Sequence, residues 1–276
     1  MGKQWLVGTA GFMVSQPLWT SLPGLNCIEV NSTFYRLPLA STIKKWKELS
    51  PSLCFSLKVS RYITHMKRLK NCKGAWGKFW GKAKLLGNKL KAVLFQLPPS
   101  FKFNDVNMER LGKMGSYLPK GGPAIVFEFR DKSWFVKPVY DLMKKLGWCL
   151  GGTAIRRPTK RYWLGNMPSG LHLPPRTSNT TYLRVHGQKG YRGYYGPKEL
   201  RNIYSQIRSK GTGKNFVIFN NTFFEKRGRT CTELGKRIRF AAVCDAVAFG
   251  KMAGTRTRRR TPRGKKGGRT RRRYKN

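Results

Sequence analysis

Four apolar runs in this sequence end in pairs of polar residues two positions apart, and a fifth run ends in a single amide. The pairs are Glu29 and Asn31, Lys58 and Ser60, Glu128 and Arg130, and Arg184 and His186, and the amide is Asn220. Side chains two apart on a strand share one face. These residue types, gathered at strand ends, suit acid–base chemistry or the binding of an anion.

Charged groups that face inward are costly to bury unless they pair or hold a charged ligand. We therefore predict a pocket for a small anion, a phosphate or a carboxylate. In an enzyme, Glu29 or Glu128 would be the general base, and Lys58 or His186 the proton donor or electrophile. The residues expected to contact the substrate are Asn31, Tyr35, Arg36, Gln96, Arg130, Arg184 and Asn220. A fully paired structural network that holds the fold together is the alternative.

Other interpretations of the sequence stay open. The segment SRYITHMKRLK, residues 60–70, interleaves basic and aromatic side chains that would cradle phosphate and stack on a base, or simply form a solvated loop. Two carboxylates also fit a glycosidase. With three histidines, a multinuclear metal site is not expected. The sequence VGTAG lacks the dinucleotide fingerprint, so no cofactor is assigned.

The elements that position these residues follow from hydrophobic periodicity. Strands are predicted at 5–9, 26–31, 54–59, 91–97, 123–129, 148–153, 180–186 and 215–220. Helices are predicted at 41–49, 74–88, 105–118, 134–146, 197–210 and 230–250. Strands that alternate with helices indicate a parallel sheet, and eight of them favour closure into a TIM-type (β/α)8 barrel whose site lies at the carboxyl ends of the strands.

Two crossovers are irregular. Residues 10–25 are too rich in Gly, Pro and Ser for a full first helix, and residues 154–179, with four prolines, predict a long loop over the site. The predicted organisation is an α/β barrel over residues 1–254, followed by a disordered basic tail over 255–276.

Net charge is the anomaly of this composition, with 57 basic residues against 11 acidic ones. The tail holds 12 of the basic residues and none of the acidic ones, so residues 1–254 still carry +34. Such a surface suits polyanions, nucleic acid first and anionic membrane second, although a general basic bias explains it without a partner. The tail residues predicted to bind nucleic acid are Arg256, Arg258, Arg259, Arg260, Arg263, Lys265, Lys266, Arg269, Arg271, Arg272 and Arg273.

The six cysteines are scattered without a CxxC pair, so a structural zinc is not expected and small buried thiols in a reducing compartment are. Nothing resembles a signal peptide, and no apolar run is long enough to span a bilayer. We expect an intracellular protein, nuclear or associated with nucleic acid, that is neither secreted nor inserted in a membrane. The oligomeric state is not indicated.

Seven ordered blocks resemble those of the YecE-like family, also called domain of unknown function 72. They are VGTAGF at 7–12, EVNSTFYRLP at 29–38, FSLKVSRYITHMKRLK at 55–70, LFQLPPSF at 94–101, FEFRDKSW at 127–134, TTYLRVHG at 180–187 and FNNT at 219–222. The resemblance implies a TIM-barrel-like fold and no established reaction. The chain departs from the family's pattern in its short first crossover and in Asp131, where the family usually has His.

The leading hypothesis is therefore a barrel that binds a small anion at its carboxyl rim and nucleic acid through its tail. The alternative is a non-catalytic nucleic-acid-associated or packaging protein.

Overall fold

Strands form at all eight predicted positions. A computed structural model describes residues 3–155, 165–187, 192–211, 213–224, 226 and 228–255 of the chain. The strands at these positions are β1 Gln4–Thr9, β2 Cys27–Val30, β3 Cys54–Lys58, β4 Leu90–Gln96, β5 Ala124–Glu128, β6 Cys149–Leu150 with β7 Gly152–Ile155, β9 Thr180–His186 and β10 Lys214–Asn220. Strand β8, Gly170–His172, runs antiparallel to β7.

The strands form a closed (β/α)8 barrel made of two parallel arcs. One arc has the order β2, β3, β4, β5, β6, and the other has the order β1, β10, β9, β7, with β8 at its edge. Hydrogen bonds from Asn26 N to Val7 O (3.0 Å) and from Gly11 N to Glu29 O (2.9 Å) join β1 to β2. A Cβ atom at position 8 would overlap the Cys27 carbonyl oxygen, so this close approach requires glycine.

The second junction between the two arcs lies within a single bent strand. Strands β6 and β7 are separated only by Gly151, whose N–H donates to Phe127 O at 2.8 Å. Strand β6 pairs with β5, and β7 pairs with β9. The sixth barrel position therefore changes partners halfway along its length and completes the ring.

Alternation along the strands produces two separate cores. Side chains that face the helices form the larger one, with Phe95, Phe127 and Trp134 among its buried rings. The barrel interior holds a smaller cluster of buried residues, whose members are Leu6, Cys27, Cys54, Ala92, Leu94, Val126, Cys149, Tyr182, Phe216 and Ile218. The polar strand ends continue the inward-facing rows of this second cluster, as the spacing of two predicts.

The helices surround the barrel between consecutive strands. They are α1 Gln16–Ser21, α2 Ala40–Glu48, α3 Lys73–Ala83, α4 Asp105–Met114, α5 Lys137–Lys145, α6 Gly196–Lys210 and α7 Ala241–Met252. Short 3-10 turns lie at Ser32–Phe34, Lys84–Lys89 and Lys132–Trp134, and a π turn at Tyr62–Met66. The first crossover holds only the six-residue α1, in agreement with the reduced crossover that was predicted. The sixth crossover contributes β8, and its residues 156–164 lie outside the described ranges.

The helix predicted over 230–250 is wrong in its first half. Residues Cys231–Glu233 (β11) and Lys236–Ile238 (β12) form an antiparallel hairpin, and α7 begins only at Ala241. The two turn residues, Leu234 and Gly235, both have positive φ (53° and 73°), a conformation that interrupts a helix and suits a two-residue hairpin turn.

Two of the six cysteines depart from the expectation of small buried thiols. Cys231 and Cys244 form a disulfide that ties this hairpin to α7. The remaining cysteines, Cys27, Cys54, Cys72 and Cys149, are buried thiols, as predicted.

The chain closes the amino-terminal end of the barrel where α7 ends. The backbones of Gly24 and Gly250 lie so close that a Cβ on either would overlap the other. Thr255 Oγ1 donates to Gly24 O at 2.6 Å, so Thr255 still belongs to the folded domain. The predicted nucleic-acid-binding residues of the tail lie outside the described ranges. No helix in the described part of the chain is both long and apolar enough to cross a membrane.

Candidate functional site

Arg184 lies at the centre of a buried polar network inside the barrel. Its Nη2 donates to Glu29 Oε1 at 2.8 Å, and its Nη1 lies 3.3 Å from Glu128 Oε2. All three side chains are at most 2% exposed. Burial alone would lower the pKa of Arg184, but Glu29 and Glu128 outweigh it and raise that pKa above its ordinary value. Arg184 is therefore a fixed cation that joins strands β2, β5 and β9.

The second oxygen of Glu29 is also occupied. Tyr182 donates its hydroxyl to Glu29 Oε2 at 2.8 Å, and the same hydroxyl lies 2.7 Å from Ser56 Oγ. Burial, followed by the charge of Glu29, raises the pKa of Tyr182 well above its ordinary value. Tyr182 is therefore a neutral donor that fixes the orientation of the carboxylate.

Glu128 is paired from two sides. Arg130 forms an ion pair with its Oε1, in addition to the contact from Arg184. Burial acts to raise the pKa of Glu128, but Arg130 and Arg184 outweigh burial and lower it. A carboxylate held ionised in this way is a weak proton acceptor at neutral pH, which disfavours the general-base role predicted for Glu128.

His186 completes the network as a neutral imidazole. Its Nε2 lies 3.4 Å from Arg130 Nη2 and its Nδ1 lies 3.4 Å from Asn220 Nδ2. Burial, and then Arg130, Arg184 and Lys58, lower the pKa of His186 well below its ordinary value. Because an unprotonated imidazole has no acidic proton to give at neutral pH, this favours Lys58 over His186 as the proton donor.

Lys58, at the carboxyl end of β3, differs from the other charged members of the cluster. Among the described residues its ammonium makes no hydrogen bond or ion pair, and its nearest aromatic partner is Phe34, whose ring centroid lies 4.2 Å from Nζ. Burial and then Arg184 lower the pKa of Lys58 to about 7, although Glu29 opposes them. Lys58 can therefore gain or lose a proton near neutrality.

His65 borders the same cluster from the π turn after β3. Its ring packs perpendicular to Phe34 at 4.9 Å, and its Nδ1 lies 2.8 Å from Thr64 Oγ1. Burial, and then Lys58, Arg130 and Arg68, lower its pKa to about 4. Because Lys58, Arg130 and Arg68 all lower this pKa, the electrostatic potential at the rim above Phe34 is positive.

The remaining predicted contact residues lie at different depths. Gln96 is buried and donates to Leu97 O at 2.8 Å, so its amide supports the backbone at the end of β4. Asn31 has a buried Oδ1 without a partner among the described residues. Tyr35 and Arg36 are exposed on the loop beyond β2. The Tyr35 ring packs edge-on against Phe34 at 5.0 Å, but no hydrogen bond or ion pair joins either residue to the network in the described part of the chain.

The Arg, Lys and Tyr side chains of the loop at residues 60–70 are exposed to solvent. Tyr62 is 44% exposed, and Lys67 Nζ lies 5.7 Å from its ring centroid, so Tyr62 is not packed into the core. The other basic residues of this loop, Arg61, Arg68 and Lys70, are exposed. Within the described residues, no group of His, Cys, Asp and Glu has the arrangement of a metal site.

Several members of the cluster were not predicted from the sequence. Tyr182 and Ser56 each lie two residues before a predicted site residue, Arg184 and Lys58, and therefore on the same face. The spacing that identified the strand ends, extended one step toward the start of each strand, finds both. Phe34 lies in a 3-10 turn and His65 in the π turn, where strand periodicity gives no signal.

Comparisons with known proteins agree with this architecture. The family described as "Protein of unknown function DUF72" matches residues 22–244. The UPF0759 protein YunF of Bacillus subtilis is 27% identical over 223 residues, which cover 70% of this chain and 76% of that protein.

Two solved structures of DUF72 family proteins share the fold. The structure from Thermotoga maritima superimposes with a TM-score of 0.70 at 23% identity, covering 91% of this chain and 100% of that one. The structure from Enterococcus faecalis gives a TM-score of 0.67 at 19% identity, covering 92% and 99%.

Proposed function

The chain belongs to the DUF72 family, whose function is unknown, and from its site we propose that the carboxyl rim of the barrel binds a small anion, a phosphate or a carboxylate. One observation carries this proposal. The charges of Arg184 and Arg130 act on the Lys58 ammonium more strongly than those of Glu29 and Glu128, yet this ammonium has no hydrogen-bond acceptor or ion-pair partner in the described part of the chain. An anion would supply that partner and relieve the repulsion between the cations.

Some residues of the site hold it in place, and others contact the anion. Both terminal nitrogens of Arg184 already hold carboxylates, so Arg184 supports the site rather than gripping the ligand. Lys58 takes the contact role at the rim, and Arg130 adds charge beside it. Asn31, whose Oδ1 is buried without a partner, suits a protonated ligand oxygen.

The chemistry available at this rim is proton transfer by Lys58. A group whose pKa is about 7 serves as acid or base at neutral pH. Glu29, Glu128 and Arg184 hold one another in fixed positions, and His186 remains neutral. An enzyme built on this site would therefore use Lys58 to donate or accept a proton on an anionic substrate, with the buried network as its rigid base.

The first prediction concerns Lys58→Met. We expect the ligand-free variant to be more stable than the wild type by about 1 kcal/mol, because a partly buried ammonium without a partner is removed. We also expect it to lose stabilisation by sulfate, which at 100 times its Kd would stabilise the wild type by about 2.7 kcal/mol. Thermal unfolding with increasing sulfate measures both effects.

Lys67→Met is the matched control, because Lys67 is an exposed lysine of the neighbouring loop. It should leave the sulfate response unchanged. A sulfate response in Lys58→Met equal to that of the control would contradict the proposal.

The second prediction is the pH dependence of this binding. The folded-state pKa of Lys58, about 7, lies below its ordinary value of 10.5, so the ammonium predominates only below pH 7. Anion binding favours the ammonium. Sulfate affinity should therefore rise as the pH falls through 7 and decline above it. Calorimetric titration at several pH values checks this, and Lys58→Met should flatten the profile.

A second candidate function, nucleic-acid binding, rests on charge. Residues 255–276 contain 12 basic side chains and no acidic one. Such a segment suits contact with phosphate backbones without reading bases, and it also suits nuclear targeting.

A further inference from the structure

A second cationic site lies on the outer rim of the barrel, apart from Lys58. The segments that follow β9 and β10, together with hairpin β11–β12, enclose a cavity of about 340 Å³. Five basic side chains line it, and we call them the cationic groove: Arg192, Lys226, Arg229, Arg237 and Arg239. All five are exposed, and none forms an ion pair with a carboxylate of the described residues.

Aromatic rings are interleaved with these cations. The Arg192 guanidinium lies 5.8 Å from the ring of Phe223, which is itself 44% exposed. The Arg229 guanidinium lies 5.2 Å from the ring of Tyr194 and 6.0 Å from that of Phe224. These contacts hold two of the cations in place and leave part of the Phe223 ring accessible.

The walls of the groove are fastened to the barrel. Parallel pairing of Arg192 with Phe223, and antiparallel pairing of Phe223 with Phe240, lay three segments side by side. Asp245, buried on α7, accepts hydrogen bonds from Tyr195 N (3.0 Å) and from Asn221 Nδ2 (2.7 Å).

The disulfide holds the remaining wall. Because Cys231 is bonded to Cys244 on α7, the hairpin that carries Arg237 cannot move away from the other segments. The groove is therefore preorganised, which lowers the entropic cost of binding.

We propose that this groove binds single-stranded nucleic acid, with the basic side chains on successive phosphates and one base stacked on Phe223. Uncompensated cations beside an accessible aromatic ring are the combination that single-strand binding uses. The inference rests on the proposal that the protein binds nucleic acid, and it assigns to the folded domain a contact that is separate from the tail.

The charge test uses the full chain with Arg229→Gln, Arg237→Gln and Arg239→Gln combined. Fluorescence anisotropy of a labelled oligo-dT gives Kd at several salt concentrations. Losing three phosphate contacts should reduce the slope of log Kd against log salt by about 2. The matched control combines Lys44→Gln, Lys45→Gln and Lys47→Gln on α2, which removes the same charge from another exposed surface and should change the slope less.

The stacking test uses Phe223. Phe223→Ala should weaken oligo-dT binding by roughly 5- to 150-fold, whereas Phe223→Tyr should retain it, because tyrosine offers the same ring face. A hairpin duplex of equal length should respond little to either change, since its bases are already stacked. All changed side chains are exposed, and unchanged thermal unfolding verifies the fold of each variant.

Equal effects of the groove and control triple variants, or unchanged oligo-dT binding by Phe223→Ala, would overturn the inference. So would groove variants that keep oligo-dT binding and lose binding to phosphatidylserine vesicles. Because the tail is intact in every variant, loss of single-strand preference here is distinguishable from loss of tail-driven binding.

Discussion

Arg184→Met is expected to lower the free energy of unfolding by about 3–5 kcal/mol, which is a large part of the total stability of an ordinary domain. The substitution keeps most of the side-chain volume and removes the cation that joins Glu29 to Glu128. Glu128 retains Arg130, but Glu29 is left buried with only the Tyr182 hydroxyl. Urea denaturation followed by circular dichroism measures the loss.

A compensating variant separates this effect from loss of packing. Adding Glu29→Gln to Arg184→Met removes the stranded carboxylate and should restore part of the stability. Lys113→Met is the surface control, because among the described residues Lys113 forms an ion pair only with Glu109 on the exposed face of α4, and it should cost less than about 1 kcal/mol. If Arg184→Met cost no more than this control, the network would not hold the barrel together.

Removal of the tail is expected to have the second large effect, on affinity for duplex DNA. A chain ending at Thr255 lacks all 12 basic tail residues but keeps the Thr255 hydrogen bond to Gly24. Each lost phosphate contact lowers the salt slope by about 0.9, and neutralising 6–10 phosphates makes affinity change about 10³- to 10⁵-fold between 50 and 200 mM salt. Anisotropy with a duplex of arbitrary sequence measures the change.

A full-length chain with the tail residues in scrambled order is the control for this truncation. It should bind as the wild type does, since backbone contacts depend on charge and carry no sequence information. The truncated domain should still bind weakly through its remaining charge of about +34. Identical salt slopes for the full-length and truncated chains would assign duplex binding to the barrel surface instead of the tail.

Strand periodicity explains what could be predicted of the site. A period of two places Glu29, Lys58, Glu128 and Arg184 on inward faces without any knowledge of tertiary structure. The choice of partners could not be predicted in the same way. The contacts of Arg184 with Glu128 and Glu29 span 56 and 155 residues of sequence, and they depend on how the barrel closes. Whether a cation has an ion-pair partner, or has none among the described residues, as is the case for Lys58, depends on how the barrel closes.

The β11–β12 hairpin could not be predicted from the sequence for a different reason. The apolar spacing that runs through α7 extends weakly toward residue 230, and a period of 3.6 cannot mark where a helix stops. Gly235 is the only local signal, and Leu234 is a residue that rarely adopts positive φ. The disulfide that joins this hairpin to α7 links residues 13 apart, and nothing in the spacing of the cysteines marks that pair.

Helix α7 separates the two regions proposed to contact nucleic acid. It begins beside Phe240 at the carboxyl rim and ends near Thr255 at the opposite pole, and its 12 residues span about 18 Å. A nucleic-acid strand long enough to reach both regions would contact one protein molecule at two places. Its affinity should therefore increase sharply at a threshold length. If both regions bind nucleic acid as proposed, shorter fragments should occupy each region independently. One protein molecule would then bridge two separate nucleic-acid molecules and act as a crosslinker.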